Sequence, residues 1–149
     1  MNATIRPATL ADLPALSDLY CQLHTSEPPW PSEQAAADAL SKVLVQPGTT
    51  IFLGTVENRV VSTCVLIVCP NFSRSGRSFA IIENVVTDRE HRQRGYGRQM
   101  IHYAIEIARE QRCYRVTLMT GSKREETLRF YEAAGLKRHT KTAFEARFI

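Results

Sequence analysis

Apolar positions along this chain switch between a spacing of two and a spacing of 3.6, and the switches lay out its elements. Residues 4–6 alternate as a short strand, which Pro7 ends. Leu13, Leu16, Tyr20 and Leu23 then recur at helical spacing. They follow Thr9, an N-cap residue with Asp12 three positions on. A second helical face, Ala36, Leu40, Val43 and Leu44, opens at Ser32 as N-cap and stops at Pro47-Gly48. Between the two helices, Pro28, Pro29 and Pro31 remove donors and fix the backbone, so residues 24–31 form a loop.

The middle of the chain reads as sheet. Residues 50–56 and 59–69 are two strands of a hairpin joined by Glu57-Asn58, and residues 71–77 make a polar loop. Residues 78–87 form a strand rich in aromatic and β-branched side chains: Phe79, Ile81, Ile82, Val85 and Val86. The charged run Asp88-Arg89-Glu90-His91 breaks it. After Gly95 and Gly97 comes a helix with Ile101, Ala104, Ile105 and Ala108 on one face, and Gln99, His102, Glu106 and Arg109 on the other. Residues 114–120 are predicted as a strand and 124–134 as a helix with Gly135 as its C′ residue. Residues 136–149 are predicted as an extended pair or one long strand. Antiparallel hairpins with one βαβ crossover, right-handed by rule, make a single α+β domain over residues 1–149.

Composition narrows the class. A chain of 149 residues can bury one real core and not comfortably two. No apolar run reaches membrane-spanning length, and the first residues lack the apolar stretch of a signal peptide. Cys21, Cys64, Cys69 and Cys113 form no C-x-x-C pair, and Cys64 and Cys69 lie in an apolar strand. Buried reduced thiols in a cytoplasmic protein are therefore expected. His24, His91, His102 and His139 have no metal-ligand spacing with one another or with cysteine, so no metal is expected. A net charge of +4 suits a protein that holds an anion. Sparse aromatic interleaving among the basic residues argues against a nucleic-acid partner.

The candidate chemistry lies where the strand 78–87 runs through a basic, glycine-containing turn into a helix N-terminus. Such a helix end offers unpaired N–H groups and partial positive charge to an anion. A P-loop motif is absent, and a dinucleotide fingerprint would need a third glycine where Met100 stands. What remains is the turn [QR]-x-x-G-x-[GA], here Arg92-Gln93-Arg94-Gly95-Tyr96-Gly97. With Ile82-Glu83-Asn84-Val85-Val86-Thr87 before it and Phe130-Tyr131-Glu132-Ala133-Ala134-Gly135-Leu136 downstream, the chain from about residue 51 onward resembles the GNAT superfamily of acyl-CoA N-acyltransferases.

That resemblance implies a mixed, mostly antiparallel sheet flanked by helices, whose bulged central strand splays away from its parallel neighbour. It implies acetyl-CoA as co-substrate and a primary amine of a small molecule or peptide as acceptor, attacked directly. The pantetheine arm would pair with the backbone of Asn84, Val85 and Val86, and the pyrophosphate would meet the turn at Arg92, Gln93, Arg94, Gly95, Tyr96 and Gly97. Arg98, Lys123 and Arg124 are looser candidates for phosphate. Arg124 and Thr127 stand where many relatives have Asn and Ala, so Arg124 takes the place of an asparagine contact. Any of these arginines could equally be a solvated surface group. Dimers are common in the superfamily, which leaves a homodimer open.

Two proton transfers need residues. Glu83, on an apolar strand, is the candidate base, and its alternative is a cross-sheet ion pair. Tyr131 is the candidate acid for the leaving thiolate, and its alternative is a packed aromatic beside Phe130. The resemblance also implies that the loops 24–31 and 71–77 border the acceptor. Glu27 and Trp30 would suit a cationic amine, whereas Arg74 and Arg77 would suit an anionic acceptor. The run Ile82 to Val86 is similar to the I-E-D-[IV]-V of hexosamine-phosphate acetyltransferases, which adds an amino-sugar phosphate as an alternative acceptor. A non-catalytic acyl-CoA-binding module is the alternative from another class.

Overall fold

A computed structural model describes residues 2–148. Five strands form one sheet in the order β1-β2-β3-β4-β5. They are β1 (Thr4–Pro7), β2 (Thr49–Val56), β3 (Arg59–Cys69), β4 (Phe79–Thr87) and β5 (Val116–Leu118). Neighbours pair antiparallel except β4 and β5, which run parallel and are joined through the helix α3 (Tyr96–Glu110). This is the α+β sheet with one βαβ crossover expected from the sequence. The helices α1 (Leu13–Leu23) and α2 (Glu33–Leu44) precede the sheet's hairpin, and α4 (Glu125–Ala133) follows β5. No helix among the described residues is long and apolar enough to cross a membrane.

The two faces of the sheet carry separate cores. On one, Phe52, Cys64, Leu66, Ala80 and Ile82 meet Met100, Ile101, Ala104 and Ala108 of α3. Met100 and Ile101 are wholly buried, and each such side chain is worth about 1.5–3 kcal/mol of apolar burial. On the other face, Ile51, Leu53 and Val65 pack with Leu16 of α1 and Leu40 of α2. Strand alternation therefore assigns Ala80 and Ile82 to the α3 side, and Phe79, Ile81 and Glu83 to the side of α1 and α2.

Local signals explain most element boundaries. The Ser32 hydroxyl accepts the Ala35 N–H at 3.0 Å and caps α2. Glu57 and Asn58 both adopt positive φ, as a two-residue hairpin turn demands. Gly135, at φ 102°, closes α4. Its N–H donates to Glu132 and that of Leu136 to Tyr131, the paired bonds of a Schellman ending.

Several expectations need correction. Thr9 precedes a 3-10 turn at Leu10–Asp12, and α1 starts only at Leu13, with Pro14 in its first turn where no donor is missed. Val43 is exposed, and Leu19 is buried in its own helix instead. Gln99 does not face solvent with His102: its amide brackets the Ala3 backbone, accepting at 2.9 Å and donating at 2.8 Å. β5 is three residues, not seven. Of the stretch 136–149, residues 136–148 form no strand and Ile149 lies outside the described residues; Phe144 and Phe148 are almost fully exposed. The alternation there is genuine, but a three-residue edge offers a returning strand little backbone to pair with. Of the cysteines all are free, and Cys64 is buried while Cys69 is only partly so.

Candidate active site

The site is a parting between two strands. β4 pairs with β5 through Ala80, Ile81 and Ile82 against Val116, Thr117 and Leu118, and there the ladder ends. β4 continues to Thr87, so residues 83–87 have no strand beside them on that edge. On its other edge β4 keeps pairing with β3, but the register slips: Val65 lies opposite Glu83 and Thr63 opposite Val86. One extra residue on β4 is taken up at Asn84, whose φ is 51°. Asparagine tolerates this left-handed geometry better than the β-branched residues around it. The bulge falls in the stretch beyond Ile82, so the backbone of Asn84, Val85 and Val86 has no ladder partner across the gap on the β5 side.

At the end of that gap stands the N-terminus of α3. Gly95 is its N-cap, at φ 86°, and no side chain among the described residues caps the helix. Gln93 also has positive φ, at 61°. Gly97 is tightly fitted: a Cβ there would come within 2.8 Å of Thr87 Oγ1 and 3.1 Å of Phe130 Cζ. Gly97 is thus glycine for the sake of packing, whereas a Cβ on Gly95 would meet nothing within 4 Å; with no side-chain cap, that end of α3 is an open cradle fit for a diphosphate. Arg92 donates through Nε to the Thr87 carbonyl at 3.1 Å, which folds its side chain back over the end of β4. Arg94 on the turn and Arg98 in the first turn of α3 are exposed, and Tyr96 between them is buried.

Glu83 is half-buried, and no ion pair among the described residues includes it. Its cross-strand neighbour is Val65, so the ion-pair alternative has no partner in β3. Tyr131 is also half-buried, edge-on to Phe130 with ring centroids 5.1 Å apart. Burial pushes its phenol pKa up, against the lowering effect of a hydrogen bond with Thr120. Thr120 lies just beyond the end of β5, so Tyr131 belongs to the mouth of the gap that β4 lines from the other side.

Other candidates stand apart. Arg124 is on the surface before α4, paired with Glu126 at 2.7 Å. Glu27 and Trp30 are exposed on the loop between α1 and α2, with Glu27 4.0 Å from His24. Neither lines the cleft beside β5 or the one between α1 and Asp88. A cleft of about 820 Å³ does open beside β5, lined by Phe79, Ile81, Arg115, Leu118, Lys137 and Lys141 among others. The histidine and cysteine spacings missed one cluster: Asp88, Glu90 and His91 bring ligand-type atoms within 4.8 Å of one another. Arg59 already balances it, at 3.2 Å from Asp88 and 3.1 Å from Glu90.

The sequence model described as "Acetyltransferase (GNAT) family" matches residues 13–136. The chain belongs to that family. It is 36% identical over 91 residues to a glucosamine 6-phosphate N-acetyltransferase of Trypanosoma brucei brucei, covering 61% of this chain and 60% of that protein. Among solved structures, a putative acetyltransferase from Agrobacterium tumefaciens str. C58 is 41% identical. It superposes with a TM-score of 0.93 over 97% of this chain and 99% of its own. The glucosamine-6-phosphate N-acetyltransferase of Arabidopsis thaliana shares the fold, with a TM-score of 0.83, 18% identity and 99% coverage of both chains.

Proposed function

We propose that this GNAT protein is an acetyl-CoA-dependent N-acetyltransferase whose acceptor is a small primary amine carrying an anionic group, an amino-sugar phosphate being the leading case. The single observation that carries the catalytic part is the bulged, splayed end of β4 leading to the uncapped N-terminus of α3. Acetyl-CoA supplies the activated thioester. Backbone groups of Asn84, Val85 and Val86 would hold its amide-bearing arm, and the amides after Gly95 its diphosphate, with Arg92 and Arg94 adding charge. Glu83 would accept the proton that the acceptor ammonium must lose before its nitrogen can form the new C–N bond. Tyr131 would donate to the sulfur as the C–S bond breaks, a role suited to a phenol kept protonated by burial.

The anionic acceptor is supported by two observations. Ile81 shares the α1 and α2 face of β4 with Glu83, and the cleft it lines carries Arg115, Lys137 and Lys141. The Trypanosoma relative is named for glucosamine 6-phosphate. Unpaired thiols suit a reducing compartment, and we infer a cytoplasmic enzyme. The test is release of free thiol from acetyl-CoA in the presence of glucosamine 6-phosphate, glucosamine, polyamines, aminoglycosides and peptide N-termini. Faster turnover of the phosphorylated sugar than of glucosamine supports the reading, and preference for a polycation overturns the acceptor class. Coenzyme A binding without thiol release for any amine would instead support a binding module.

A further inference from the structure

We propose that Asp88 is a positioning residue for the diphosphate turn, tying it through Arg59 to β3 and through Gln22 to α1. This rests on the reading of residues 92–97 as the coenzyme A diphosphate site. Asp88 is 6% exposed, whereas Arg89 and Glu90 beside it are exposed. A carboxylate buried at the mouth of a surface turn is costly unless its oxygens are bonded. Here they are. One oxygen meets His91 Nδ1 at 2.8 Å and accepts from Arg59 Nη2 at 3.2 Å, and the other accepts from Gln22 Nε2 at 3.3 Å. The backbone is held as well: the Asp88 N–H donates to Val61 at 2.9 Å, and the His91 N–H donates to the Asp88 carbonyl at 2.8 Å.

Gln22 and His91 carry this order outward. The Gln22 side chain, from the last turn of α1, donates to Asp88 and accepts the Arg89 N–H at 2.9 Å, so it brackets the start of the turn. The His91 ring lies 6.5 Å from that of Tyr96, the first residue of α3. A line of contacts thus runs from α1 through Asp88 and His91 to the amides that would face phosphate. None of these side chains is needed to touch the ligand. Their effect is to fix, before binding, where those N–H groups point, which removes an ordering cost from association.

The test compares ligands with and without the diphosphate. Calorimetric titration with coenzyme A, and NMR titration with pantetheine, are done on the wild type, Asp88→Asn and Gln22→Leu. The ratio of the coenzyme A dissociation constant to that for pantetheine is expected to rise about tenfold in Asp88→Asn and by a smaller factor in Gln22→Leu. Arg59→Met, at the exposed rim of the cluster, carries the same comparison if Asp88→Asn does not fold. An unchanged ratio in folded variants overturns the proposal, since a purely structural carboxylate would weaken both ligands alike. Wild-type protein that binds neither ligand would remove the donor-site reading itself, and is told apart by needing no variant.

Discussion

Thr87 Oγ1 stands 2.8 Å from the position a Cβ on Gly97 would occupy. The last residue of β4 and the second residue of α3 are therefore fitted against each other at the point where strand becomes helix. Gly97→Ala should be harmful despite alanine's better helix propensity, because Phe130 blocks relief from the other side at 3.1 Å. The expected loss is about 1–3 kcal/mol of stability, typical of overpacking, with weaker coenzyme A binding. Removing the hydroxyl in Gly97→Ala/Thr87→Ala should recover part of both. Thermal melts with and without coenzyme A measure this, and a Gly97→Ala protein as stable as wild type would contradict it.

Glu83 and Asn84 sit next to each other, yet opposite outcomes are expected from changing them. Glu83→Gln keeps shape and hydrogen-bonding capacity but loses basicity, so kcat should fall on the order of a hundredfold or more. The coenzyme A dissociation constant should stay within about twofold, too small a change to register as a lost contact. Asn84→Val places a β-branched residue at φ 51° and should instead flatten the bulge, raising KM for acetyl-CoA as the backbone of residues 84–86 turns away. Thiol-release kinetics with saturating acceptor separate the two patterns. Full turnover in Glu83→Gln would assign the base to another group.

How far the sequence carries this far is a question of locality. α3 and β4 are legible because their periodicities are long, and Gly95 and Gly97 mark the turn between them. The closing of α4 at Gly135 is likewise written in adjacent residues. The bulge at Asn84 and the early end of β5 are not, since both depend on register against strands distant in sequence. The tail shows the opposite failure: Phe144, Ala146 and Phe148 alternate like a strand, but local pattern cannot supply the partner. The Asp88 cluster gathers Gln22, Arg59 and His91 from 66, 29 and 3 positions away, a set that no spacing rule would assemble.

Tyr131 offers a pH signature. Burial holds its phenol above the ordinary value of about 10, so it stays protonated across the neutral range. If it protonates the leaving sulfur, Tyr131→Phe should lower kcat roughly tenfold to a hundredfold, with little change in coenzyme A affinity. Wild type should then show an alkaline fall in kcat as the phenol ionises, and that fall should be missing from the variant. A pH profile of kcat for both proteins decides the point, and superimposable alkaline limbs would reduce Tyr131 to a packed aromatic.

The core itself predicts an alkaline weakness. Cys64 lies on the α3 face of β3, where burial pushes its thiol from 9.0 up to about 12. Tyr20 of α1 is pushed from 10.0 up to about 12, again chiefly by burial. In both cases the folded protein holds its proton more tightly than the unfolded chain does. Their contribution to stability is therefore fully present below pH 9, and declines as pH rises through the unfolded values toward about 12. Cys64 alone could contribute on the order of a few kcal/mol to that decline. Cys64→Val removes the ionisable group but keeps an apolar side chain of similar size, so it should lessen the decline from pH 9 to about 12, and the stretch between pH 9 and 10, below the unfolded value of Tyr20, isolates the thiol's share. Urea unfolding at several pH values measures the slope. Equal slopes for the two proteins in that window would mean that the thiol reaches solvent without unfolding.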